Sequence, residues 1–418
     1  MYEFHPYFTN DGSVGLYNKD FDDIYHSAKG ALTEAYEKFI LPVDYNNLLL
    51  KDKVKVLDIC YGVGYNSKAF LNFIFNFFIL KNFDLKNPLV EAIYTNKNIP
   101  KLPDSIESIY GNNILNKISV TAVDNDKILG FLSPFVTTCN KKLRNDNLNF
   151  KYINLEKYIY NNKNNKIKNF PKINKIINFL IFDNFVSNFP DFLNNESLKL
   201  ILKNKDFIRF FDPVIRGIYE SYSCVPYSCS SFDNISTFLH NIYYNYISNM
   251  YKKKLKQYKL QDISLSYHFI DAREFIKNDT NTYDLIFLDA FTPAKCPCLW
   301  SYEFFKELYN HLNNDGQILT YTTSAAVRGA MLEAGFHIGN IFLSSENKNI
   351  GTIASKSEDH IKTPLSEYDL GLIKTRAGIF YRDKNLTGQN EAIKAARELE
   401  IKNSTRISSS KYNNSYKQ

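Results

Sequence analysis

One stretch of the chain restricts its fold more than any other: Lys53–Cys60, a short β-branched run (KVKVLDIC), runs directly into a glycine turn at Tyr61–Tyr65, and helical apolar spacing resumes from Ser67 to about Leu80. A buried strand, a turn with two glycines and a helix form the opening unit of a nucleotide-binding α/β domain. Further buried strands are predicted at Ile118–Asp124, Leu265–Ile270, Tyr283–Asp289 and Gly316–Thr322. Helices are predicted between them at Ala272–Lys277, Tyr302–Leu312 and Ala325–Ala334. The expectation is an α/β, Rossmann-like, doubly wound and mostly parallel sheet with a large insertion.

The strand ends carry the chemistry. In an open parallel sheet, ligands bind beyond the carboxyl ends of the strands at the point where strand order reverses. Asp58, Gly62, Gly64 and Asn66 stand at the first such end, Asp124 at the second, and Asp271 with Ala272 at the third. Glycines at 62 and 64 let the backbone turn tightly and approach a ligand. A carboxylate at Asp124 can accept hydrogen bonds from both ribose hydroxyls, and Asp271 can bond an adenine amine. The turn lacks the third glycine of the dinucleotide fingerprint and the Gly-Lys-Ser/Thr ending of a phosphate-gripping loop. S-adenosylmethionine (SAM) has no phosphate and needs neither. These residues therefore suit a SAM site, or else strand-end caps in another α/β enzyme.

The most informative segment is Tyr283–Trp300 (YDLIFLDAFTPAKCPCLW). A buried strand ends at Asp289, a loop with Pro293 and Pro297 leads to Trp300, and Ser301 is a plausible N-cap with Glu303 in the first turn. Asp289 would lie near the reactive end of a cofactor bound as above, or else brace the loop. The aromatic and proline-rich wall would help exclude water. Cys296 and Cys298, and the loose pair Cys224 and Cys229, lack the repeated spacing and histidine partners of a zinc site, so no metal is expected. The seven histidines form no ligand pair or triad order.

In these segments the chain resembles a known family, the methyltransferase part of the tRNA 5-methylaminomethyl-2-thiouridine biosynthesis protein MnmC, in a stand-alone form. The matching stretches are Phe21–Ser27, the glycine loop through Asn66, Leu288–Trp300, and Thr322–Arg328 leading to Glu333–Phe336. Leu365–Asp383 resembles a C-terminal motif of the family. The resemblance covers roughly residues 5–80, 118–130 and 262–382. It departs at Cys296 and Cys298, where the family usually has polar residues. It implies SAM as cofactor and methylation of the 5-aminomethyl group of the wobble uridine (U34) of tRNA. Asp289 is then the candidate to orient the amine and take its proton, with Asp23, Tyr25 and Ser27 closing over the site from the N-terminal segment. Trp300, Arg328, Lys374, Arg376 and Arg382 are candidates for substrate or tRNA contact. No FAD is expected, since there is no room for the family's oxidase domain. Upstream enzymes would have to form the aminomethyl group on the same tRNA. A polyamine aminopropyltransferase, a small-amine methyltransferase, or a non-catalytic tRNA-binding protein would share the fold. The Phe21–Ser27 and Thr322–Arg328 motifs favour the tRNA family.

Composition limits the partners. The net charge is +7 over 418 residues, yet Cys139–Lys175 alone holds ten Lys or Arg against two Asp or Glu. The basicity is thus concentrated in an insertion that either grips RNA phosphates, with Tyr152, Tyr158, Tyr160 and Phe170 for stacking, or is simply solvated. No secretory signal is apparent, and Phe70–Leu80, interrupted by Asn72 and Asn76, is too short to span a bilayer. Scattered cysteines without a signal favour reduced thiols and a cytoplasmic location. The expected organisation is an N-terminal segment at 1–50, the core at 51–130 and 262–345, the insertion at 131–261, a family-like segment at 346–385, and a helix near Asn390–Ile401 within a disordered tail at 386–418.

Overall fold

The computed structural model describes residues 4–18, 23–25, 29–48, 51–81, 118–133, 136, 264–344 and 346–416. Ser27 and the basic insertion Cys139–Lys175 lie outside them, and Asp23 is described by its backbone alone.

In chain order the elements are β1 (Phe4–Phe8), β2 (Val14–Asn18), β3 (Asp23–Ile24), α1 (Ala31–Glu34) continued by a π turn over Ala35–Ile40, and α2 (Tyr45–Leu48). Then come β4 (Val54–Ile59), α3 (Tyr65–Lys81), β5 (Ile118–Asp124) and α4 (Lys127–Leu132). After the insertion follow β6 (Ser264–Phe269), α5 (Ala272–Asn278), β7 (Tyr283–Leu288), a 3₁₀ turn (Pro297–Trp300), α6 (Tyr302–His311), β8 (Leu312–Thr320) and α7 (Ala325–Ala334). The chain continues through β9 (His337–Leu343), β10 (Lys348–Ser355), α8 (Glu367–Ile373), α9 (Asn390–Asn403) and α10 (Ser409–Tyr416). No helix among the described residues is long and apolar enough to cross a membrane.

These residues divide into two compact units. One comprises Met1–Tyr36, Tyr61–Ser119 and Asp126–Tyr267. In it β1, β2 and β3 form an antiparallel meander. The polar turn between β1 and β2 is buried rather than solvated, and Asp11 is its hub. Its carboxylate accepts from Thr9 Oγ1, Ser13 N and Oγ, and Thr33 N and Oγ1. Asp11 and Ser13 thereby satisfy the free N–H groups that open α1,. The first residue of α3, Tyr65, bonds through its hydroxyl to both the N–H and the carbonyl of Val14.

The other unit comprises Glu37–Cys60, Val120–Asn125 and His268–Gln418. The seven-stranded sheet has the order β6-β5-β4-β7-β8-β10-β9. β7 runs parallel to β4 and to β8, with all six of its residues buried. A strand covered on both faces needs the continuous apolar run that Leu285–Leu288 supplies,. Strand order reverses between β4 and β7, so the doubly wound α/β expectation holds. Beyond β8 the sheet departs from the parallel pattern. β10 inserts antiparallel between β8 and β9, which carries the sheet past residue 345. At the opposite end of β7 from the site, Asp284 accepts from Lys51 Nζ at 2.7 Å, Lys55 N at 2.8 Å and Asn313 Nδ2 at 2.6 Å. The C-terminal expectation is corrected in one respect: residues 409–416 are helical, not disordered, and Tyr368, Tyr412 and Tyr416 pack their rings together.

Candidate active site

The register of β4 and β7 builds the site. Ile59 pairs with Leu288, and the Asp289 N–H donates to the Ile59 carbonyl at 3.3 Å, so the two strands end side by side where strand order reverses. The next residue after β4, Cys60, takes a left-handed φ of 62°, which is unusual for a residue with a β-carbon,. Its N–H bonds the Val123 carbonyl on the other side, at 2.9 Å. The Cys60 thiol is pushed well above its ordinary value, first by burial and then by the negative charge of Asp124, Asp289, Cys298 and Asp58. Three carboxylates from three strand ends, Asp58, Asp124 and Asp289, therefore bear on one point. Asp58 is buried, whereas Asp124 and Asp289 are partly exposed.

The third strand-end acid has a different employment. Asp271 caps α5 by accepting from Arg273 N at 2.8 Å, and its carboxylate pairs with the Arg273 guanidinium at 2.7 Å. Burial alone would raise the Asp271 carboxyl, but the hydrogen bonds and charge of Arg273 outweigh it and hold it below the usual range. Ala272, the first residue of α5, is buried. Arg273 also binds Asp383 at 2.8 Å and the Gly388 carbonyl at 2.8 Å. Neither Arg273 nor Asp383 is a strand-end residue, which is why sequence reasoning passes over both.

The wall after Asp289 is held by its own backbone. The Tyr321 hydroxyl donates to the Ala290 carbonyl at 2.9 Å and Trp300 Nε1 donates to the Phe291 carbonyl at 2.8 Å. Trp300 is 0% exposed and packs edge-on against Tyr321. It is a core residue that fixes the loop, which corrects its expected role as a substrate contact. Ser301 caps α6 as predicted, accepting from Phe304 N. The C-terminal motif clasps this wall: Tyr302 N donates to the Tyr381 carbonyl at 3.0 Å, and Glu303 accepts from Arg382 Nε and from Asp383 N, both at 2.7 Å.

Two further expectations concern cations. Arg328 is 2% exposed and its guanidinium is spent on Thr352 Oγ1, Asp369 at 3.0 Å and the Gly351 carbonyl, with Asn340 as well. It cannot present charge to a phosphate, so the expected backbone contact is corrected to a core ion pair. Lys374, Arg376 and Arg382 are exposed. Arg376 bonds the Arg406 carbonyl, while Arg382 also lies over Tyr302.

In the other unit, the glycine turn has Gly62 at φ 56° and Gly64 at φ 81°. A β-carbon on Gly64 would fall 2.1 Å from the Tyr61 hydroxyl. That hydroxyl meets Ser133 Oγ and Tyr267 Oη, each at 2.9 Å, and Ser133 Oγ donates to the Val63 carbonyl at 2.8 Å. Lys68 Nζ bonds the Ser133 carbonyl. Asn66 is buried in the first turn of α3, and the Tyr25 N–H bonds the Leu16 carbonyl. The turn is narrow, and α3 begins directly after it at Tyr65. Among the described residues no group of three or more His, Cys, Asp or Glu is placed to hold a metal ion.

Parts of the chain are similar to known proteins. Residues 233–356 match a family described as S-adenosyl-L-methionine-dependent methyltransferase. The bifunctional tRNA 5-methylaminomethyl-2-thiouridine biosynthesis protein MnmC of Burkholderia thailandensis is 38% identical over 111 residues, which is 26% of this chain and 17% of that protein. An uncharacterized protein of Methanocaldococcus jannaschii is 29% identical over 162 residues, 35% of this chain and 44% of that protein. The chain thus matches less than half the length of these curated relatives. Among solved structures, MnmC2 from Aquifex aeolicus is similar at 16% identity and a TM-score of 0.49, over 96% of this chain and 86% of that one. Spermidine synthase from Thermotoga maritima is similar at 11% identity and a TM-score of 0.33, over 95% and 80% of the two chains.

Proposed function

We propose that this chain, a relative of the MnmC methyltransferases, transfers a methyl group from SAM to the 5-aminomethyl group of the wobble uridine of tRNA. The observation that carries the proposal is the convergence of Asp58, Asp124 and Asp289 around Cys60 at the reversal of strand order. Asp58 and Asp124 with Gly62, Gly64 and Asn66 are the residues proposed to hold SAM, with Asp271 and Ala272 at its adenine end. When bound, SAM supplies an electrophilic methyl group. Asp289 is proposed to orient the amine and accept its proton. An alkylammonium has a pKa of about 10 by analogy with lysine, so at neutral pH the reactive neutral amine is scarce without a nearby acceptor. Asp23, Tyr25 and Ser27 are proposed to contact the substrate, and Lys374, Arg376 and Arg382 the tRNA backbone. The reading requires tRNA on which earlier enzymes have already produced the free aminomethyl group, and it is consistent with action in the cytoplasm.

The test is transfer of labelled methyl from SAM to tRNA bearing 5-aminomethyluridine. Incorporation at that nucleoside is expected. No incorporation, together with methylation or aminopropylation of a free polyamine, would replace this reading with that of a small-amine transferase.

A further inference from the structure

The wall after Asp289 carries Cys296 and Cys298 on either side of Pro297, and the proposed methyl transfer employs neither thiol. Their sulfurs stand 3.6 Å apart. Pro297 opens the 3₁₀ turn with its φ fixed by the ring, so little backbone freedom remains to be lost on joining them,. Cys298 is 6% exposed and its N–H bonds Asn390 Oδ1 at 3.3 Å, whereas Cys296 is partly exposed. One sulfur is anchored and the other can be reached. The two thiols are also unlike chemically. The two sulfurs share a hydrogen bond, and this bond with the Arg273 guanidinium holds the Cys298 thiol below its ordinary value against burial. The same bond and its own burial push Cys296 up. The thiolate is the nucleophile in thiol oxidation, and two adjacent sulfurs supply one attacking and one resolving thiol.

We propose that Cys296 and Cys298 form a reversible redox modification site, oxidised by a hydroperoxide to an intraloop disulfide and reduced again by a dithiol. In the first step one sulfur of the pair attacks hydrogen peroxide: an S–O bond forms, the O–O bond breaks and the departing oxygen leaves as water. In the second, the other sulfur displaces the remaining oxygen: the S–S bond forms, the S–O bond breaks and a second water leaves. Two thiols give up two electrons and two protons, and one peroxide becomes two waters. Oxidation also takes the Cys298 sulfur out of its attraction to Arg273, the side chain that ties Asp271 to Asp383. The proposal is independent of the substrate assigned above.

Trypsin would release both sulfurs on one peptide, Cys296–Lys306, which contains no other cysteine. The full chain is treated with hydrogen peroxide, remaining thiols are blocked with iodoacetamide in denaturant, and this peptide is weighed. Most of it is expected to lose two hydrogens and carry no alkyl group, and to regain both thiols if dithiothreitol precedes blocking. The Cys60→Ser variant should give the same result. With either cysteine of the pair replaced by serine, dimedone should label a sulfenic acid on the one that remains. The proposal fails if peroxide leaves both cysteines alkylatable, drives them to sulfinic or sulfonic acid, or links Cys298 to Cys60 instead.

Discussion

Asp289 shows how much one position can owe to its neighbours in the fold. In the sequence it is the acid after an apolar strand. In the structure its N–H is tied to Ile59, and its charge reaches the Cys60 thiol together with those of Asp124 and Asp58. A general base of this kind contributes on the order of 100-fold or more to a rate. Asp289→Asn, which keeps the shape, is therefore expected to lower kcat by about that factor in the labelled methyl assay with tRNA, and unchanged turnover would remove the assignment. The cations divide in the same way. Arg328 is buried against Asp369 and Asn340, so Arg328→Met should destabilise the chain by about 3 kcal/mol or more in urea denaturation. Lys374 is exposed, so Lys374→Ala should leave stability alone, weaken tRNA binding and reduce its salt slope by about one.

At the scale of elements, the caps and strand ends were readable because they depend on neighbours a few residues away. Ser301 is one such case: its side chain accepts from Phe304 N at 3.3 Å and Glu303 stands in the first turn of α6. Ser301→Ala should cost about 1 kcal/mol of stability, measured by thermal or urea unfolding. If the variant melts like the parent, the cap is not holding the wall loop to the helix. The hairpin of β9 and β10 was not readable. The placement of β10 between β8 and β9 rests on pairing with Gln317–Thr320, across an intervening helix and strand, and no local periodicity records it. The reverse happened at α10, where polar residues Ser409–Tyr416 look unstructured until Tyr412 and Tyr416 find Tyr368,.

At the scale of the whole molecule, carboxylates paired with arginine contribute to the response to acid. Burial would raise the carboxyl of Asp369, but hydrogen bonds from Asn340 and Ser366 and the charge of Arg328 hold it below its ordinary value, as Arg273 does for Asp271. A carboxyl with a lowered folded pKa stabilises the fold above its unfolded value, about 3.9, and that contribution is lost as pH falls through the folded value. The melting temperature is therefore expected to drop as pH falls below about 4. Asp369→Asn should flatten that acid limb in a thermal scan series, and an unchanged limb would place the titrating group elsewhere.

The sequence by itself determined the α/β class, the strands that end in acids, the glycine turn and the cap at Ser301. All of these follow from periodicity and from chemistry within one turn or one strand. Only the tertiary structure decided which predicted residues are available to a ligand. Trp300 and Arg328 carry side chains suited to recognition, yet burial and partners such as Phe291 and Asp369 commit both to the core. Arg273, Asp383 and Asn390 became visible only where the C-terminal segment returns to the wall after Asp289. Contacts between residues some hundred positions apart are set by how the layers close, and that information is not local.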